Sequence, residues 1–92
     1  MSLLSAQEVD SRIAGGQWSR RDDQIVRETT LADFAAAIAF VNAVAAAAEA
    51  ANHHPDILVH DYNGVRLELS THSAGGLTEA DLALAARIDE LG

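Results

Sequence analysis

The chain has 92 residues, with no cysteine and no lysine, and its 14 acidic against 6 basic side chains set a formal charge of −8 near neutrality. This excludes disulfides, thiolate metal sites, a cysteine nucleophile, a lysine Schiff base and a lysine-dependent phosphate loop. An acidic field without a basic stripe repels phosphate backbones and anionic membranes, so direct nucleic-acid binding is not expected.

Hydrophobic residues make up 49% of the chain, but 19 of them are alanines, which leaves few large apolar side chains. Such a core is marginal alone, so a single domain over residues 1–92 that self-associates is expected. The opening Met-Ser-Leu-Leu lacks the basic and long apolar regions of a secretory signal, which points to the cytoplasm.

Ser5-Ala-Gln-Glu8 has the form of a capping box, followed by Val9 and Ile13 on one helical face and a Glu8/Arg12 pair. Gly15 and Gly16 then end the helix. Gln17 to Arg20 and Gln24 to Thr29 are predicted as strands around an Arg21-Asp22-Asp23 turn, with Trp18 and Ile25 as core anchors.

Thr30-Leu-Ala-Asp33 is a looser capping box that opens a long second helix. Leu31, Phe34, Ile38, Val41, Ala45 and Ala48 recur at helical spacing and are predicted as its buried stripe. Phe40 lies off that stripe, where it would widen the face or meet a second subunit. The Phe34–Ala48 run is mostly alanine and falls short of the ~20 strongly apolar residues that span a bilayer. Glu49, at the edge of the stripe, is expected to be partly desolvated and to orient His53 one turn on. Pro55 disfavours the helical conformation at His54, so the helix should end near Asn52 or His53 with the two imidazoles splayed.

Ile57–Tyr62 and Val65–Ser70 are predicted strands joined by an Asn63-Gly64 turn. That register sets Tyr62 opposite Val65 and Asp61 opposite Arg66, with Val65, Leu67 and Leu69 on one face. Imperfect alternation in the first strand suggests a bulge between Leu58 and Asp61. After a Ser73–Gly76 loop, Thr78-Glu-Ala-Asp81 caps a third helix whose inner stripe is Asp81, Leu84, Ile88 and Leu91. The order α-β-β-α-β-β-α predicts an α+β fold, a four-stranded antiparallel sheet with three helices on one face.

Histidine titrates near neutrality, so His53, His54 and His72 at structural junctions, with Glu49 and Asp81 nearby, point to an acid/base site. Other readings stand beside it: adjacent histidines suit a helix C-terminus, Asp81 is explained as a cap, Tyr62 as a packing residue and His60 as structural. A metal held by Glu49, His53 and His72 is a rival, although zinc helices place their ligands four residues apart. No nucleophile elbow or nucleotide loop is present.

At these residues the chain resembles the pterin-4a-carbinolamine dehydratase family. The resemblance rests on Glu49-x-x-x-His53-His54-Pro55, Tyr62, Ser70-Thr71-His72, Gly75-Gly76-Leu77-Thr78 and Asp81, and extends back through Asp33-Phe34 and the Trp18, Ile25, Arg27 spacing. Six residues separate Pro55 from Tyr62 where many members have five, and Asp56-Ile57-Leu58 stands where some carry an aromatic. The resemblance implies a lyase that removes water from 4a-hydroxytetrahydrobiopterin-type pterins in tetrahydropterin recycling, without cofactor or metal. It implies His53, His54 and His72 as catalytic, Glu49 and Asp81 as supporting, and Pro55, Thr71, Ser73 and Ala74 as substrate-binding. It further implies a homodimer or homotetramer, with an aromatic amino acid hydroxylase as pathway partner. The alternative is a non-enzymatic oligomerisation, assembly or transcriptional-cofactor protein on the same fold.

Overall fold

The computed structural model describes residues 2–91. Its elements are α1 (Ala6–Ile13), β1 (Trp18–Arg21), β2 (Gln24–Thr30), α2 (Phe34–Ala51), β3 (Asp56–His60), β4 (Gly64–Leu69), a short 3-10 turn (His72–Ala74) and α3 (Glu79–Asp89). The strands form one antiparallel sheet in the order β1-β2-β4-β3. The fold is therefore the expected α+β arrangement, with the three helices contributing to one apolar core against the sheet.

Ser5 caps α1 by accepting the Glu8 N–H at 3.1 Å, which satisfies one of the donors a helix start leaves open. Arg12 bonds Glu79 at the start of α3 rather than Glu8 one turn back, so it ties two helices together. Trp18 and Ile25 are both buried in the core, as their spacing predicts. Alternation in β4 also holds: Val65, Leu67 and Leu69 are fully buried, while Arg66, Glu68 and Ser70 are half-buried.

Helix α2 departs from its expected face. Its N-cap is Asp33, which accepts the Ala36 N–H at 2.8 Å, whereas Thr30 is the last residue of β2 and pairs with Gly64. The buried face is Ala37, Phe40, Val44, Ala47 and Ala48; of the expected stripe Ala48 is buried and Leu31 and Val41 pack against the core, whereas Ala45 is exposed, Phe34 is 54% exposed and Ile38 36%. Alanine on most sides leaves two nearly equivalent stripes; the one containing Phe40 packs into the core, where its ring covers the buried Arg27 guanidinium, 5.5 Å from its centroid. Helix α2 is long and apolar enough to cross a membrane by length and composition, yet one side of it forms a wall of the core.

The second hairpin also differs from expectation. Val65 pairs with Val59 rather than Tyr62, and His60 with Gly64, around an Asp61-Tyr62-Asn63 loop. Positive φ falls on Asp61 (50°) and Tyr62 (55°), not on Asn63-Gly64. Gly64 is needed for space instead: a Cβ there would lie 2.7 Å from the His60 ring. Asn63 is used to hold Leu31, accepting its N–H at 2.8 Å and donating to its carbonyl at 2.9 Å. Pairing from Asp56 to His60 is continuous, so the expected bulge is absent and the extra residue lies in the loop. Tyr62 is 65% exposed at the loop tip and does not pack.

Candidate active site

Asp81 organises the site from the first turn of α3. It is fully buried, and its Oδ2 accepts both the Thr71 hydroxyl at 2.7 Å and the Thr78 N–H at 2.9 Å, which completes a capping box. Thr71 spends its only hydroxyl proton on that carboxylate, so the 2.9 Å contact between the two threonines has Thr78 as donor. With these donors on one oxygen, the other is available to an imidazole. His53 Nε2 stands 2.6 Å from Asp81 Oδ1.

The chain reaches that geometry through Asn52, which ends α2 in the left-handed conformation (φ 50°) while the His53 N–H returns to the Ala48 carbonyl at 3.1 Å. Helical spacing stops there, which corrects two expectations. Glu49 meets His54 rather than His53, at 2.5 Å from Nε2, and its side chain is 76% exposed rather than desolvated. His53 takes Asp81 as partner and is mostly covered, its side chain 15% exposed, whereas that of His54 is 57% exposed. The two imidazoles are splayed, each held by its own carboxylate.

His72 follows Thr71 directly and opens the 3-10 turn. The turn closes through Gly75 in the left-handed region (φ 79°), whose N–H returns to the Thr71 carbonyl at 3.0 Å. His72 and Ser73 are exposed, Ala74 and Pro55 half-buried, and Thr71 buried with its hydroxyl inside the Asp81 network. Among the described residues no hydrogen bond joins His72 to His53 or His54. The Glu49, His53, His72 set is not assembled, because Glu49 and His53 are each engaged elsewhere, and no group of three such side chains among the described residues is arranged to hold a metal ion.

Two features escape the sequence reading. Thr78 supports Thr71 as well as capping α3; the Thr-x-x-Asp pattern signals the cap but not the tertiary contact. A groove of about 370 Å³ between α2 and α3 has His53 in its lining.

The fold and this cluster define a small helix-on-sheet protein carrying two carboxylate-held imidazoles at a helix junction. A sequence model of the pterin 4 alpha carbinolamine dehydratases matches residues 2–91, and the chain belongs to that family. It is 56% identical over 92 residues to a Chloroflexus aurantiacus protein provisionally named pterin-4-alpha-carbinolamine dehydratase, covering 99% of this chain and 98% of that one. A crystal structure described as a transcriptional coactivator/pterin dehydratase from Brucella melitensis superposes with a TM-score of 0.89 at 30% identity, covering 97% of each chain. A pterin dehydratase-like protein, identified as a RuBisCO assembly factor in the alpha-carboxysome, superposes with a TM-score of 0.64 at 28% identity, covering 80% of this chain and 84% of that one.

Proposed function

We propose that this chain dehydrates 4a-hydroxytetrahydropterins to quinonoid dihydropterins by histidine acid/base catalysis. The observation that carries the reading is the His53–Asp81 pair, buttressed by Thr71 and Thr78, beside the His54–Glu49 pair. The reaction moves two protons. The 4a-hydroxyl is protonated and leaves as water when the C4a–O bond breaks, while the N5 proton passes to a base as the N5=C4a bond forms. No electrons are exchanged with a partner.

On both His53 and His54 the carboxylate engages Nε2, which supports Nδ1 as the nitrogen that would meet substrate. A neutral His53 donating its Nε2 proton to Asp81 presents a lone pair at Nδ1, which suits removal of the N5 proton. His54 is exposed enough to be reprotonated from water between turnovers, which suits the acid. His72, with Ser73 and Ala74, would bound the pterin on the loop side, Pro55 would fix the chain direction beyond the histidines, and Thr71 would act through Asp81. Glu49 and Asp81 are positioning residues.

The test is to follow freshly generated 4a-hydroxytetrahydropterin by absorbance. Wild type should accelerate dehydration, and His53→Ala or His54→Ala should each reduce the rate by about 10²- to 10⁴-fold, the usual worth of general acid/base action. Folded wild-type protein that leaves the spontaneous rate unchanged removes the proposal.

A second reading concerns assembly. Helix α2 carries no charge from Phe34 to Ala48 and exposes Phe34 and Ile38. That supports self-association through this face, and the assembly-factor neighbour makes a protein-binding role the alternative to turnover.

A further inference from the structure

The groove between α2 and α3 is unusual in its lining. Ala47, Ala50 and Ala51 form one wall, with Ala80 and Ala83 on the other. Its polar lining residues are His53 and Arg87, and no carboxylate lines it in a chain with 14 acidic residues. Small side chains on both walls keep a slot of about 370 Å³ open, within the size range of sites that take drug-sized ligands. His53 packs against the start of α3 through Asp81, and Arg87 lies seven residues beyond Ala80 on that helix, roughly 10 Å along its axis. The slot therefore starts at a proposed reacting group and ends at a guanidinium.

We infer that this groove binds the C6 substituent of the pterin substrate, and that the substituent it fits is extended and largely apolar with an anionic end received by Arg87. The inference rests on the dehydratase reading and deepens it. A pterin ring seated against His53 leaves a substituent about two helical turns of apolar slot, and only a negative or strongly accepting terminus matches its far end. Arg87 already bonds Glu90 through Nη1 at 3.2 Å, but both partners are mostly exposed. Such an i,i+3 pair contributes little on its own, so the fork can turn to a bound anion.

Folate supplies a suitable stable probe, an oxidised pterin with an aryl body and a terminal glutamate, and 6-methylpterin supplies the same ring without the tail. Each is measured as a competitive inhibitor of the dehydration of 4a-hydroxy-6-methyltetrahydropterin. Wild type should bind folate about tenfold more tightly than 6-methylpterin, or about 1.4 kcal/mol. That ratio should fall to about threefold or less in Arg87→Ala, which removes the anion partner, and in Ala83→Phe, which fills the slot. Using a ratio cancels general damage to the site. Equal inhibition by the two pterins, or a ratio indifferent to both substitutions, overturns the groove assignment while leaving the dehydratase reading intact. Absence of dehydration by folded wild type removes the dehydratase reading, and the groove assignment with it.

Discussion

His53 and Asp81, 28 residues apart in sequence, meet at 2.6 Å because Asn52 turns the end of α2 toward the first turn of α3. The carboxylate that orients the imidazole also caps that helix and receives Thr71, so one buried group both holds the proposed base and ties the fold together. Asp81→Asn keeps the shape but cannot accept from all three donors. It should cost about 1–3 kcal/mol in urea unfolding, the usual price of stranding a buried donor. It should also lower turnover, whereas His54→Ala, at an exposed position, should lower turnover with unfolding nearly unchanged.

His60 reaches across a strand. Its Nε2 lies 2.9 Å from Glu28 on β2 and its Nδ1 2.8 Å from Asp61, with β4 between β2 and β3. The crossing is open because Gly64 has no side chain. Gly64→Ala should therefore destabilise the protein by about 1 kcal/mol or more through displaced packing, and the cost should shrink when His60→Ala is already present. A double-mutant cycle in urea measures the coupling; strictly additive costs would mean that the ring does not need the glycine.

The same histidine gives a pH signature. Hydrogen bonds to Asp61 and then Glu28 raise its pKa above the ordinary 6.5. Arg66, whose guanidinium forms an ion pair with Glu28, faces the cluster from β4. The folded state thus binds the proton more readily than the unfolded state. The resulting stabilisation is complete below the unfolded value near 6.5 and is lost as pH rises through the higher folded value. Unfolding free energies of wild type and His60→Gln should therefore differ most in mild acid and converge in mild alkali. A gap that widens with rising pH contradicts the bridge.

Helix α2 offers a contrast between two phenylalanines six residues apart. Phe40→Ala empties a core position and should cost about 3–5 kcal/mol, whereas Phe34→Ala, at an exposed position, should cost within about 0.5 kcal/mol in the monomer. If the exposed face joins subunits, Phe34→Asp together with Ile38→Asp should shift the sedimentation of the native protein toward the monomer while its circular dichroism is unchanged.

This contrast marks where the sequence stops being legible. Ser5, Trp18, Ile25, the alternation of β4 and the Thr78–Asp81 cap were readable because each depends on neighbours a few residues away. The buried stripe of α2 was only partly readable: Leu31, Val41 and Ala48 pack inward as the spacing predicts, but alanine on most sides leaves periodicity with two answers, and it is Phe40 rather than Phe34 that turns inward over Arg27. The second hairpin misled because Gly64 answers the His60 ring rather than a positive φ. In the candidate site the residue types were evident, but the pairing of His53 with Asp81 and His54 with Glu49 depended on a left-handed Asn52 that spacing does not reveal.

Arg27 supplies a last test of the core. It is fully buried on β2, and its Nη1 and the Trp18 Nε1 both donate to Asp89 Oδ1, at 3.0 and 2.9 Å. Its Nε and Nη2 have no hydrogen-bond partner among the described residues. A buried cation satisfied on one side only is held largely by that carboxylate. Asp89→Ala should therefore cost about 3–5 kcal/mol by leaving the charge uncompensated. Arg27→Met removes the charge together with its unpaired donors, keeps an unbranched side chain under Phe40, and should be close to neutral or stabilising. The fluorescence of Trp18, the only tryptophan, reports both transitions from within the cluster. An Arg27→Met protein destabilised as much as Asp89→Ala would show that the guanidinium holds the core together by more than its bond to Asp89.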